Sequence, residues 1–213
     1  AGLLDIKQIY SQRTRFSPLV VLDSKHPYVD ELIKNIKEAC QTAGFPYMRI
    51  LRENTDMTEN VTGSAKAHIR VADSMREAVD LLNDKPYIEK NILLTTGSKH
   101  LPDYTKIQDY QNRAYLRLLP SPEMLQKAVD TGFLPAHLIA MQGPFSQELN
   151  VALIKQSGIG VLVTKQSGKS GGFEEKISAA EQTGTDVIVI KRPKQEDGKN
   201  LSEAEAELKK LMT

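Results

Sequence analysis

The chain is predicted to be an α/β protein built on doubly wound parallel sheets, with helices covering both sheet faces. Three features carry that prediction. Strand-type apolar runs alternate with helical periodicity through most of the 213 residues. Several runs are continuous rather than alternating, at residues 19–22, 92–96 and 160–164, as strands buried on both faces require. Those at 92–96, 137–141 and 160–164 end in polar, glycine-bearing turns. In open α/β sheets ligands sit outside such strand ends.

Residues 1–17 form a helix or a loose lead-in, with no strand followed by a glycine turn. The run 19–22 is the first strand, closed by the polar turn 23–28 and Pro27. A helix over 29–42 follows, with Leu32, Ile33, Ile36, Ala39 and Cys40 on its apolar face and Gly44 as its C-terminal cap. Strands are expected at 47–51 and 69–71, and a helix at 74–82. Glu89-Lys90 reads as a hinge, which divides the chain into units 1–88 and 89–213 facing each other across a cleft. The second unit has five strands, near 92–96, 114–118, 137–141, 160–164 and 186–190; the first has only three. Pro122 suits the first turn of a helix over 121–131, and Ser146 is a good cap for the helix after Gly143-Pro144. Phe173 opens another helix, with Glu174 and Glu175 in its first turn, where they suit the helix dipole. The final helix, 202–212, is expected to be capped by Ser202, with Glu205 completing a capping box.

Composition bounds the function. With 40% apolar and 26% charged residues the chain buries a core. A net charge of +1 and no long basic block argue against nucleic acid as a partner. No apolar run approaches ~18 residues, so no membrane span is expected. The lone Cys40 excludes an intrachain disulfide framework and suits a reducing cytoplasm, where it serves as a buried filler. The four His are scattered and no metal site is expected.

The stretch 137–176 holds two adjacent strand ends, each followed by a turn rich in Ser, Lys and Gln. Free amides at the following helix starts favour anionic groups, although ordinary connections also use glycine for backbone freedom. Gly168-Lys169-Ser170 ends like a phosphate-binding loop, but Val163 stands where that loop needs glycine, and no G-x-G-x-x-G occurs. Any anion here meets Lys165, Lys169 or the loop amides rather than the two glutamates.

Several blocks in a fixed order are more specific. They are His26-Pro27-Tyr28, Thr96-Gly97-Ser98-Lys99, Met141 through Ser146, Glu148-Leu149-Asn150, Thr164-Lys165, Ser167-Gly168 and Gly171-Gly172, and they end with Glu175-Lys176 and Ala179-Ala180. Over residues 3–193 the chain thereby resembles the precorrin-6A reductases of cobalamin biosynthesis. The resemblance implies two Rossmann-like domains, and hydride transfer from NADPH or NADH to one double bond of precorrin-6A or its cobalt complex, giving precorrin-6B. It departs from the family in two places. The strand and glycine turn that open the first domain are missing, so residues before Ala1 are expected. Asp23-Ser24-Lys25 stands where Asp-Ala-Thr is usual.

A macrocycle fringed with carboxylates needs cations and amides at its rim, and a nicotinamide must be held against it with water excluded and a proton supplied. Lys165 is the first candidate, to orient the cofactor or assist protonation. His26 and Tyr28 are candidates to donate a proton or stack on the ring. Gly97, Ser98, Lys99, Gln142, Gly143 and Ser167 are expected to line the cofactor, and Arg49, Arg113 and Ser146 to meet substrate carboxylates. Against each stands an ordinary structural role: solvated lysine, turn glycine, surface arginine, packed tyrosine. A non-catalytic tetrapyrrole-binding protein and a different nucleotide-binding enzyme of the same fold remain open. Nothing in the residues fixes the oligomeric state.

Overall fold

The computed structural model describes residues 20–24, 30–51, 67–167, 171–191 and 198–211. Two compact units emerge, Ala1–Thr55 with Pro193–Thr213, and Asp56–Arg192. This division differs from the expected boundary at 88/89.

In the first unit, β1 (Val21–Asp23) pairs in parallel with β2 (Tyr47–Arg49), joined through helix α1 (Asp30–Ala43). Cys40 is buried on α1, as its place on the apolar stripe implies. Ile50 extends the pairing to a parallel bridge with Lys199, from the far end of the chain. The C-terminal helix, Leu201–Leu211, begins one residue earlier than expected and has a different cap. Asn200 Oδ1 accepts from the Glu203 amide at 2.9 Å, and Glu203 Oε2 accepts from the Asn200 amide at 2.9 Å. Asn and Ser both cap well and each has a glutamate three residues on, so the sequence offers two boxes, and the chain forms the one at Asn200.

The second unit is a six-stranded, wholly parallel sheet. Its strands are β3 (Ile69–Ala72), β4 (Asn91–Leu94), β5 (Ala114–Leu118), β6 (Leu138–Ala140), β7 (Ile159–Lys165) and β8 (Asp186–Ile190), in spatial order β3-β8-β7-β4-β5-β6. β3, expected in the first unit, pairs with β8 from Ile69↔Val187 to Ala72↔Ile190. The expected hinge at Glu89-Lys90 is instead the turn into β4, inside this unit. There Lys90 Nζ is held by Asp186 Oδ2 at 2.6 Å.

The central strands read as unbroken apolar runs because their two faces feed two cores. Ile92, Leu94, Val161, Val163, Ile188 and Ile190 point to one face. That face packs with Ala78, Val79 and Leu82 of α2 (Met75–Asn83), with Leu101 and Tyr104 of the short α3 (Leu101–Tyr104), and with Ala128 of α5 (Pro122–Asp130). The intervening Leu93, Leu162, Val187 and Val189 point to the other face. They meet Val151 and Ile154 of α6 (Gln147–Gln156) and Phe173, Ala179 and Ala180 of α7 (Phe173–Thr183). Period-two alternation between two buried faces is what a doubly wound sheet demands of its sequence. A one-turn helix, α4 (Tyr110–Arg113), leads directly into β5. Among the described residues no helix is long and apolar enough to cross a membrane.

Candidate functional site

From β4 the chain builds outward to β5 and β6, then returns to the other side of β4 for β7 and β8. The reversal lies between β4 and β7, and it opens a crevice at their carboxyl ends. Thr95 pins that point, donating its amide and its hydroxyl to Val163 O at 3.0 and 2.8 Å. The chain then turns at Gly97, whose φ of 79° suits a residue with no Cβ and whose missing side chain leaves open space. Tyr104 braces the turn from beneath: its hydroxyl donates to Gly97 O at 3.0 Å and is bonded to Thr96 Oγ1.

A cavity of about 370 Å³ opens at this edge. Thr95 and Gly97 line it from β4's end, Arg117 to Leu119 from β5's, Met141 to Phe145 from β6's, and Gly171 and Lys176 from the start of α7. At Gly143 a Cβ would come within 2.9 Å of the Phe145 ring, so a larger residue there displaces that ring.

Two cations dominate the cavity. Arg117 is 6% exposed, with Nη1 donating to Asn150 Oδ1 at 2.8 Å and the guanidinium 4.0 Å from the Phe145 ring centroid. Asn150 is wholly buried and is fixed in turn by donating Nδ2 to Ser146 O at 2.8 Å. Desolvation lowers the Arg117 pKa to about 10. Lys176 is 5% exposed and makes no hydrogen bond or ion pair among the described residues. Burial, then the charge of Arg117, lower it from the ordinary 10.5 to about 8, against an opposing pull from Glu175.

A second cationic group lies on the crest of the reversal. Burial and then Lys99 lower the Lys165 pKa. Burial and then Lys165 lower that of His100, whose Nδ1 lies 3.1 Å from Asp103 Oδ2. Lys99, His100 and Lys165 thus share one electrostatic neighbourhood.

Of the residues expected from sequence, Gly97, Gln142 and Gly143 meet in the cavity, and Lys99 and Lys165 meet on the crest. Ser98 Oγ is taken up by Met124 Sδ at 3.1 Å, and Ser167 Oγ is buried close under Gly171 without a hydrogen bond. Ser146 caps α6, accepting from the Leu149 amide at 3.3 Å. Arg113 does not join them. It ends α4 at the opposite, amino-terminal edge of the sheet, donating to Leu82 O at 2.7 Å and Tyr87 O at 3.1 Å. Arg49 belongs to the first unit, where Nη1 meets the fully buried Asp23 carboxylate at 2.9 Å, beside the Tyr47 hydroxyl. His26 and Tyr28 lie outside the described residues. Arg117 and Lys176 were missed, though both left a trace. Arg117 interrupts an apolar run that forms a strand, and Lys176 stands on the stripe of Phe173, Ala179 and Ala180, where a solvated lysine has no business. Among the described residues no cluster of His, Cys, Asp or Glu is built to hold a metal ion.

Comparison with known proteins now bears on this geometry. The chain is 36% identical over 183 residues to a cobalt-precorrin-6A reductase of Priestia megaterium, covering 84% of this chain and 67% of that protein. It is 31% identical over 192 residues to the cobalt-precorrin-6A reductase of Methanothermobacter thermautotrophicus, covering 90% and 60%. For the Salmonella typhimurium protein of that name the identity is 32%, with 85% and 64% covered. The chain thus spans about two thirds of the length of these relatives. A solved structure titled CobK precorrin-6A reductase superposes with a TM-score of 0.69 over 99% of this chain and 81% of its own, at 24% identity, which speaks for the fold. The pattern described as Precorrin-6x reductase CbiJ/CobK matches residues 4–210, and the chain belongs to that family of reductases.

Proposed function

We propose that this protein reduces precorrin-6A, or its cobalt complex, by hydride transfer from NADPH or NADH to one double bond of the macrocycle, giving precorrin-6B in cobalamin biosynthesis. The observation that carries the reading is the cavity at the carboxyl ends of β4, β5 and β6, beside the cationic crest and set in a chain of this family. A nicotinamide cofactor, when bound, supplies the hydride. The residues at the crest fit such an anionic group: Gly97 leaves its backbone open to approach, and Lys99 and Lys165 bring positive charge beside it.

In this reading Gly97, Ser98, Lys99, Gln142, Gly143 and Ser167 hold the cofactor side of the site. The lowered pKa of Lys165 lets it give up a proton more readily than a solvated lysine, which suits it to protonate the reduced ring. Leu118, Leu119, Met141 and Pro144 keep water from the reacting face.

The test is anaerobic. The chain is mixed with precorrin-6A, or its cobalt form, and each nicotinamide in turn, and the reduced-cofactor absorbance is followed. Substrate-dependent loss of that absorbance is expected. Tetrapyrrole binding with no cofactor oxidation would instead identify a non-catalytic binding protein.

A further inference from the structure

Lys176 is an expensive residue for the fold. It is buried among Phe173, Ala179 and Ala180, faces a cavity, and has no hydrogen-bonding partner among the described residues. Arg117, the other cation of the cavity, is bonded to a neutral amide rather than to a carboxylate. The charges acting on Lys176 are Arg117 from β5, which repels it, and Glu175 from its own helix, which offsets part of that repulsion. α6 contributes Asn150, which is neutral. A methionine would fill the same apolar stripe with no charge to desolvate. Around the two cations the lining is mostly apolar, with Leu118, Leu119, Met141, Pro144 and Phe145 beside the polar Thr95 and Gln142, and Leu119 and Met141 are exposed.

We propose that Arg117 and Lys176 form a seat for one carboxylate of a ligand whose apolar body lies along Leu119 and Met141, and that Lys176 holds its proton when the anion is in place. The guanidinium is preset by Asn150 and Phe145, so its free N–H groups meet the anion at little entropic cost. The second charge is supplied by Lys176, whose ammonium is desolvated and only partly compensated by Glu175 until the carboxylate arrives. This deepens the function proposed above and rests on it only for naming the ligand as a carboxylate-bearing tetrapyrrole. The seat itself is tested without tetrapyrrole or nicotinamide, so the two readings can fail separately.

The experiment measures thermal unfolding of the full chain and of Lys176→Met and Arg117→Gln, between pH 6.5 and 10, in chloride, acetate, benzoate or phosphate at equal ionic strength. The lysine's folded pKa is lowered, so its charging penalty is fully present below pH 8 and disappears as pH rises toward 10.5. Lys176→Met is therefore expected to melt roughly 5 °C higher than the parent at pH 6.5 and to converge with it near pH 10. Benzoate raises the parent's midpoint more than acetate does, and moves neither variant. A less stable Lys176→Met at pH 6.5, equal shifts in all three proteins, or phosphate outdoing benzoate would each overturn the proposal. If Lys176→Met does not fold, acetylation of Lys176 by acetic anhydride in the unmutated chain, read by peptide mass spectrometry, decides the matter. A reactivity midpoint near pH 8 that benzoate moves upward supports the seat; a midpoint that benzoate leaves in place sinks it.

Discussion

The two edges of the six-stranded sheet differ in how they treat buried positive charge, although at the carboxyl edge the exposed Lys191 also meets Asp73. At the amino-terminal edge, cations are matched to oxygen. Lys90 meets Asp186, whose other carboxylate oxygen accepts from the His68 amide at 3.2 Å, and Arg113 is tied to two backbone carbonyls. Lys90 and Arg70 also flank the Tyr87 ring, at 5.4 and 5.7 Å from its centroid. At the carboxyl-terminal edge, Arg117 leans on a neutral amide, and Lys176 makes no hydrogen bond or ion pair among the described residues and feels only a partial pull from Glu175. Burial of a charge costs the fold wherever it occurs. Where the structure supplies the counter-group itself, the charge holds elements together. Where it leaves that group out, the cost is carried for something that arrives from solution.

The largest expected effect comes from breaking the carboxyl edge. Arg117→Gln keeps a donor for Asn150 but removes the charge. It is expected to lower kcat/KM for precorrin-6A reduction about a hundredfold, or ~3 kcal/mol of transition-state binding. Its unfolding free energy in urea should stay within ~1 kcal/mol of the parent. A large loss of stability with normal kinetics would put Arg117 in the same class as Arg113 and erase the contrast between the edges.

The converse experiment is at the amino edge. Asp186→Asn preserves shape and the bond from the His68 amide but leaves Lys90, about a third exposed, without its anion. It should cost ~1–2 kcal/mol of stability, discounted for the solvent that reaches Lys90, and leave kcat/KM within about twofold. Steady-state kinetics beside urea unfolding measures both. A kinetic defect larger than the stability defect would mean that the amino edge also serves the site.

How much of this was legible in the sequence follows from what kind of interaction each part uses. The parallel sheet was legible, because burial on two faces writes itself as continuous apolar runs at 92–96, 160–164 and 186–190. The crest was legible too: Gly97, Lys99 and Lys165 follow strand ends directly, so local chain order places them. The exchange of β3 into the second sheet was not, because Ile69–Ala72 has the same composition whichever sheet it joins, and its partner β8 lies more than a hundred residues away. Arg113 and Arg117 show the limit most clearly. They stand four residues apart at the two ends of β5, and only the sheet's direction decides that one is a tie and the other lines a cavity. The C-terminal cap fell to Asn200 rather than Ser202, which the local pattern leaves undecided, because two good caps two residues apart each have a glutamate at the reciprocating position.

The smallest effect sharpens the contrast most, because it lies on the carboxyl edge itself. Ser146 was expected to meet a substrate carboxylate, and its hydroxyl already accepts from the Leu149 amide as the cap of α6. The hydroxyl's own proton faces Glu148, whose carboxyl it holds below the usual range, so meeting a ligand as well would mean exchanging that bond. Ser146→Ala separates the two roles. As a cap alone, the hydroxyl is worth ~1 kcal/mol of unfolding free energy, and its loss leaves KM unchanged, since the Ser146 carbonyl that holds Asn150 is retained. If it also meets the ligand, KM rises severalfold on top of the same stability loss, and Ser146→Asn, another good cap, restores stability but not KM. The first result would mean that even at the ligand-facing edge a hydroxyl with a partner inside the fold serves the fold, and that the functional groups lining the cavity are Arg117 and Lys176.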